Sequence, residues 1–145
     1  MRQALGKRYF VLALFAILSL FYGQQLYAGN PSPVSVQGAT SVTADEARQL
    51  WLQGAFFVDP RSVADWEAGR IPGALHMERG KPIYNPQTVL DYVGSKDAPI
   101  VAYCNAEACH RAAHLAKDLL NWGFTNVYYF RLGYPEWLRT GSPFE

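Results

Sequence analysis

The stretch Ile100-Val101-Ala102-Tyr103-Cys104-Asn105-Ala106-Glu107-Ala108-Cys109-His110-Arg111 is the part of the chain on which the fold turns. Ile100 to Tyr103 is a short apolar run directly after Pro99, the pattern of a buried strand. Beyond it, Ala112, Leu115, Ala116 and Leu119 recur at helical spacing as far as Gly123. Cys104 therefore falls where a strand stops, with a short turn after it and a helix N-terminus facing it. In open α/β sheets, ligands bind in the crevice beyond the carboxyl ends of the strands. The N–H groups of the turn and the positive end of the helix dipole both favour an anion there. A thiolate is an anion, so this geometry predicts a nucleophilic Cys104.

Working outward, Thr43 and Glu46 form a capping-box pattern that predicts a helix to about Gln53, with Ala47, Leu50 and Trp51 on one face. Ala55-Phe56-Phe57-Val58 reads as a strand ending at Asp59, apolar at every position, as in parallel strands buried on both sides. A short helix is expected over about Val63 to Ala68, and a short strand around Leu75-His76. Asn85-Pro86 is a cap followed by a first-turn proline, opening a helix to about Val93. Gly123 fits the position after a helix end, with Phe124 closing a Schellman-type cap on Leu119. Asn126 to Phe130 is the last strand, and Pro135 opens a short helix around Glu136-Trp137-Leu138. Strands alternating with helices argue for a mostly parallel sheet covered on both faces.

The chain of 145 residues divides into three expected parts: 1–28, 29–40 and 41–145. Arg2, Lys7 and Arg8 precede an apolar run from Tyr9 to Leu18, and Ala28 offers a small residue for cleavage, which together predict a signal peptide. An uncleaved membrane anchor over Tyr9–Ala28 is the rival reading. Either way the domain is expected outside the cytoplasm, periplasmic or anchored to the membrane facing that side, because little positive charge follows the segment. Residues 29–40, rich in proline and serine, read as a linker. A formal net charge of +1 excludes a nucleic-acid binder that relies on a basic surface. Two cysteines are too few for a disulfide framework, and their closeness in sequence points to chemistry.

Several motifs, in order, then carry a family resemblance. Asp59-Pro60-Arg61-Ser62, followed by Trp66-Glu67-Ala68-Gly69-Arg70-Ile71-Pro72-Gly73-Ala74, resembles the first signature of the rhodanese domain. Tyr103-Cys104 resembles its catalytic cysteine at a strand end, and Gly123-Phe124 to Trp137 its closing segment. The likeness covers roughly Val42 to Gly141, and is nearest to exported rhodanese-like proteins with a Cys-Asn-x-x-x-Cys loop. The resemblance implies a five-stranded, mostly parallel sheet with helices on both faces. It further implies a sulfurtransferase, without a cofactor or metal, whose Cys104 accepts sulfane sulfur as a persulfide and passes it to a thiophilic acceptor. The implied partners are a small sulfur-containing anion or a low-molecular-weight thiol or persulfide, and a sulfur-acceptor protein. Asn105, Ala106, Glu107, Ala108, His110 and Arg111 would form the anion-binding loop, with Asp59 and Arg61 as structural support.

The loop departs from the family pattern. It is long, lacks glycine, has Ala112 where serine is common, and carries Glu107 where an anion should be attracted; Arg70 replaces a histidine. Cys109 reads either as a thiol that resolves an oxidised Cys104 into a disulfide or as a small apolar residue in the first helical turn. Other classes fit less well. Cys104, Cys109, His110 and His114 have zinc-ligand residue types, but they crowd into a turn already committed to an anion. A cysteine phosphatase or arsenate reductase needs arginine six positions after the cysteine, where this chain has His110. A thiol redox protein using Cys104 and Cys109, or a non-catalytic module binding a partner through its aromatic residues, are the remaining alternatives.

Overall fold

A computed structural model describes residues 30–145. The signal-peptide or anchor segment, its cleavage site and the export it implies lie outside the described residues. Pro31–Glu145 forms one compact unit. In chain order its elements are β1 (Thr40–Ser41), α1 (Ala44–Leu52), β2 (Phe56–Asp59), α2 (Val63–Ala68) and β3 (Leu75–His76). Then follow α3 (Pro86–Val93), β4 (Ile100–Tyr103), α4 (Arg111–Asn121), β5 (Val127–Phe130) and α5 (Gly133–Arg139). The five strands form one sheet in the order β1-β5-β4-β2-β3, and every pairing is parallel.

Local chemistry accounts for most of these boundaries. The Thr43 hydroxyl accepts from the Glu46 amide while the Glu46 carboxylate accepts from the Thr43 amide at 2.8 Å, so α1 begins with the expected capping box. Asn85 caps α3 through the Thr88 amide at 3.0 Å, ahead of Pro86. Helix α4 ends in the expected Schellman motif: the Phe124 amide donates to Leu119 O at 3.1 Å and the Gly123 amide to Leu120 O at 3.0 Å. Helix α5 starts two residues earlier than Pro135 suggests, at Gly133. A proline in the first turn of a helix removes no helical hydrogen bond, so it marks the region of a helix start, not its first residue.

Strand periodicity sorts the core onto two faces. Ile100, Ala102 and Cys104 face the layer of α3 and α4, packing with Val89, Leu115 and Leu119. Val101 and Tyr103 face α1 and α5, packing with Ala47, Phe57 and Trp137. Both faces of the sheet are therefore covered, and Cys104 points toward the α4 side.

Two features differ from the sequence reading. Strand β1 is a two-residue edge strand, both residues exposed, pairing Thr40 with Tyr128 and Ser41 with Tyr129. Residues 31–40, expected as a linker, pack against the domain: Ser32 and Val36 are buried. Tyr129 Oη donates to Pro33 O at 3.1 Å and Arg131 Nε to Ser32 O at 3.2 Å. A composition of proline and serine reads as linker only where no distant partner takes up its backbone groups, and here two β5-side residues do.

Candidate active site

The sheet order fixes where a site forms. From β2 the chain moves outward to β3, then returns past β2 to β4 and continues to β5 on the other side. The reversal lies between β2 and β4, and the carboxyl ends of those two neighbours carry Asp59 and Cys104 respectively.

Asp59 and Arg61 make the buried brace at this junction. They are 0 % and 2 % exposed. Arg61 Nε donates to both Asp59 oxygens at 2.9 Å, and Nη2 donates to Asp59 Oδ2 at 2.6 Å and to Gly69 O at 2.7 Å. Arg61 Nη1 reaches Asn105 Oδ1 at 3.2 Å, so the brace continues into the cysteine loop. Its guanidinium also lies 4.6 Å from the Tyr134 ring centre and 5.6 Å from that of Tyr103. Burial by itself would lower the Arg61 pKa, but the hydrogen bonds and charge of Asp59 outweigh it and the net shift is upward. Tyr103 is held un-ionised, first by burial and then by the Asp59 carboxylate. The structural role expected for Asp59 and Arg61 is thus joined to a direct contact with the loop.

Cys104 is 1 % exposed and is bonded through its sulfur to Cys109, with the two Cα atoms 6.2 Å apart. That separation lies inside the range disulfides adopt. Cys109 is thus the covalent partner of Cys104 in this structure. Three backbone hydrogen bonds also hold the loop. The Tyr134 amide donates to Cys104 O at 2.8 Å, the Ser32 amide to Glu107 O at 2.7 Å, and the Cys109 amide to Ala106 O at 3.0 Å. Ala106 closes the turn with φ +92°, a conformation that costs a non-glycine residue about 1–2 kcal/mol. Gly133 presses against the loop with φ +62°, and a β-carbon there would overlap the Cys104 carbonyl.

The loop residues divide between two sides. A cleft of about 400 Å3 is lined by Asn105, Ala108, Cys109, His110 and Arg111, with Asp65 entering from α2. Ala106 and Glu107, expected in the anion site, do not line it. Glu107 turns outward and pairs with Arg131 at 3.3 Å, which removes its charge from the cleft. The Cys109 amide, expected to cradle the thiolate, is bonded to Ala106 O instead. His110 is the residue before α4 and makes no side-chain cap; its ring centre lies 6.3 Å from that of His114.

Asp65 is the site residue that sequence reasoning missed. Ser62 Oγ donates to its carboxylate at 2.7 Å, the pattern of a helix start, and nothing local marks it as part of a cleft. Its pKa is held below the ordinary 3.8, chiefly by the Ser62 hydrogen bond, against the opposing effect of burial, with further lowering by Asn105, Arg61 and Arg111. The cleft therefore presents a carboxylate and a guanidinium together.

With this geometry in hand, the comparisons with known proteins give the family. The rhodanese-like domain model matches residues 43–140, and the chain belongs to that family. A thiosulfate sulfurtransferase GlpE from Pseudomonas entomophila is 30% identical over 101 residues, covering 68% of this chain and 84% of that protein. Among solved structures, the BH2092 protein of Bacillus halodurans aligns with a TM-score of 0.63 at 20% identity, over 90% of this chain and 85% of that one. The polysulfide-sulfur transferase homodimer of Wolinella succinogenes aligns with a TM-score of 0.59 at 19% identity, over 88% of each chain. At these identities the two structures speak for the fold.

Proposed function

We propose that the protein is a sulfurtransferase that carries sulfane sulfur as a persulfide on Cys104 and delivers it to a thiophilic acceptor. The observation that carries this reading is the placement of Cys104: buried at the end of β4, at the reversal of strand order, between the Arg61–Asn105 brace and the start of α4. The family and its GlpE relatives support it.

Chemistry begins when a thiol reductant has opened the disulfide. The Cys104 thiolate then attacks the outer sulfur of a donor such as thiosulfate; the sulfur–sulfur bond of the donor breaks and sulfite leaves with its electron pair. Cys104 retains the transferred sulfur as an anionic persulfide. Helix α4 directs its N-terminus toward this region, and Arg111 supplies a positive charge for the departing oxyanion. A nucleophile such as cyanide or a second thiolate takes the outer sulfur and regenerates Cys104. Asp65 opposes a doubly charged donor, so a low-molecular-weight persulfide, whose reacting group carries one charge, fits the cleft better than thiosulfate.

The deciding experiment is sulfur transfer to excess cyanide under reducing conditions, with thiosulfate and polysulfide as donors. Cys104→Ser is expected to bring thiocyanate formation down to the uncatalysed rate with both donors, because a serine hydroxyl cannot hold sulfane sulfur. Undiminished turnover in that variant would remove Cys104 from the reaction. The thiol redox alternative is favoured by one observation, the Cys104–Cys109 disulfide itself.

A further inference from the structure

We infer that Cys109 expels the sulfur carried on Cys104 as hydrosulfide, and that an external thiol afterwards reopens the resulting disulfide at Cys109 alone. The inference rests on the reading of Cys104 as the persulfide carrier and adds a second, reductive outcome to it.

Two observations carry it. The first is that the loop conformation joining the sulfurs is held by bonds other than the disulfide: Tyr134 N on Cys104 O, Ser32 N on Glu107 O, and Cys109 N on Ala106 O. Opening the disulfide leaves these three in place, so the Cys109 thiol stays beside Cys104 when a persulfide forms there. A held geometry of this kind turns an encounter of two groups into an internal reaction. The second observation is that the sulfurs differ in access. Cys104 is 1 % exposed, whereas Cys109 lines the cleft with His110 and Arg111.

The step balances without an outside oxidant. The Cys109 thiol, losing its proton, attacks the inner sulfur of the Cys104 persulfide; the bond between inner and outer sulfur breaks, and the outer sulfur leaves with the electron pair as hydrosulfide, taking up the proton. The two cysteine sulfurs are oxidised to the disulfide and the sulfane sulfur is reduced to sulfide. A thiolate from a low-molecular-weight thiol or a dithiol protein then enters the cleft and attacks Cys109 Sγ. Cys104 leaves as a thiolate, and the mixed disulfide on Cys109 is cleared by a second thiolate. Exchange rates follow which sulfur can be reached and how good the leaving thiolate is, and both favour this direction. Arg111 at the cleft wall attracts the incoming anion.

The test is a single turnover of fully reduced protein with limiting polysulfide and no other acceptor, followed by intact mass and sulfide assay. The parent chain is expected to release one hydrosulfide per chain more than the donor itself leaves behind, and to end at the mass of the disulfide. Cys109→Ser and Cys109→Ala, both shown to be folded by circular dichroism, are expected to stop with one added sulfur on Cys104 and no sulfide beyond that left by the donor. If the parent instead retains the added sulfur as those variants do, the inference fails while the carrier reading stands. If neither variant gains sulfur on Cys104, the carrier reading fails with it. A second arm reopens the oxidised parent with limiting glutathione and then quenches the mixture with an excess of alkylating agent. Peptide mapping should find glutathione on Cys109 and the alkyl group on Cys104; glutathione on Cys104, or on both equally, would overturn the assigned direction.

Discussion

Replacing Gly133 by alanine probes how tightly the cysteine loop is held from the α5 side. The residue sits at φ +62°, and its α-carbon lies so near the loop that an added β-carbon meets the carbonyl of Cys104 and the amide of Ala106. The left-handed backbone costs alanine about 1–2 kcal/mol. Forcing the methyl into the contact adds about 1–3 kcal/mol of overpacking. Displacing the Tyr134 N–H from Cys104 O, now 2.8 Å, removes about 0.5–1.5 kcal/mol more. The total is about 2.5–6.5 kcal/mol, a large part of the roughly 5–15 kcal/mol that stabilises a domain. Gly141→Ala is the control, because that glycine also has positive φ, +70°, but nothing within 4 Å of the added carbon. It should lose only the backbone part, about 1–2 kcal/mol. Urea unfolding of the three reduced proteins, so that the disulfide does not enter, measures the difference. Equal losses at the two positions would refute the claim that Gly133 clasps the loop. The same clasp predicts that Gly133→Ala slows persulfide formation and Gly141→Ala does not.

Arg61→Ala leaves Asp59 buried and unpaired, and should lower stability by about 3–5 kcal/mol in urea melts; Arg61→Lys should recover only part, lacking the second arm that reaches Asn105. Arg111→Ala should raise the KM for thiosulfate about two- to fivefold, the scale of an exposed charge contact, and leave the KM for an uncharged trisulfide unchanged; equal changes would make Arg111 structural. Asp65 has a folded-state pKa below its unfolded value, so its bonds stabilise the domain fully above that unfolded value and are lost as pH falls through the lowered one. The gap between parent and Asp65→Asn in urea midpoint should therefore be constant from neutral pH to about pH 5 and should shrink only in stronger acid; a gap that closes near neutrality would contradict it.

The elements that sequence alone made legible are those specified by short-range chemistry. The capping box at Thr43, the cap and proline at Asn85-Pro86, and the fully apolar run Ile100–Tyr103 each state their own structure, and together they placed Cys104 at a strand end. What stayed hidden depends on partners far away in the chain. Strand β1 is two exposed residues that exist only through β5. Arg61 meets Asn105 across 44 positions because β2 and β4 are neighbours, which no local pattern announces. Glu107 seemed to spoil an anion site until Arg131 drew it aside. The disulfide was open to argument from sequence because five positions of separation permit it, while only the placed Cα atoms decide it.

The bond from Ser32 to Glu107 has a practical consequence for where this domain is cut. The family match runs from residue 43, and an expression boundary drawn there by homology would look complete. It would nonetheless discard strand β1 and the amide that holds the middle of the cysteine loop. Such a fragment would keep the nucleophile, four of the strands and the Glu107–Arg131 pair while freeing the Glu107 carbonyl that Ser32 holds. In this protein the boundary of the homologous unit and the boundary of the compact unit are different residues, the first at 43 and the second at Pro31.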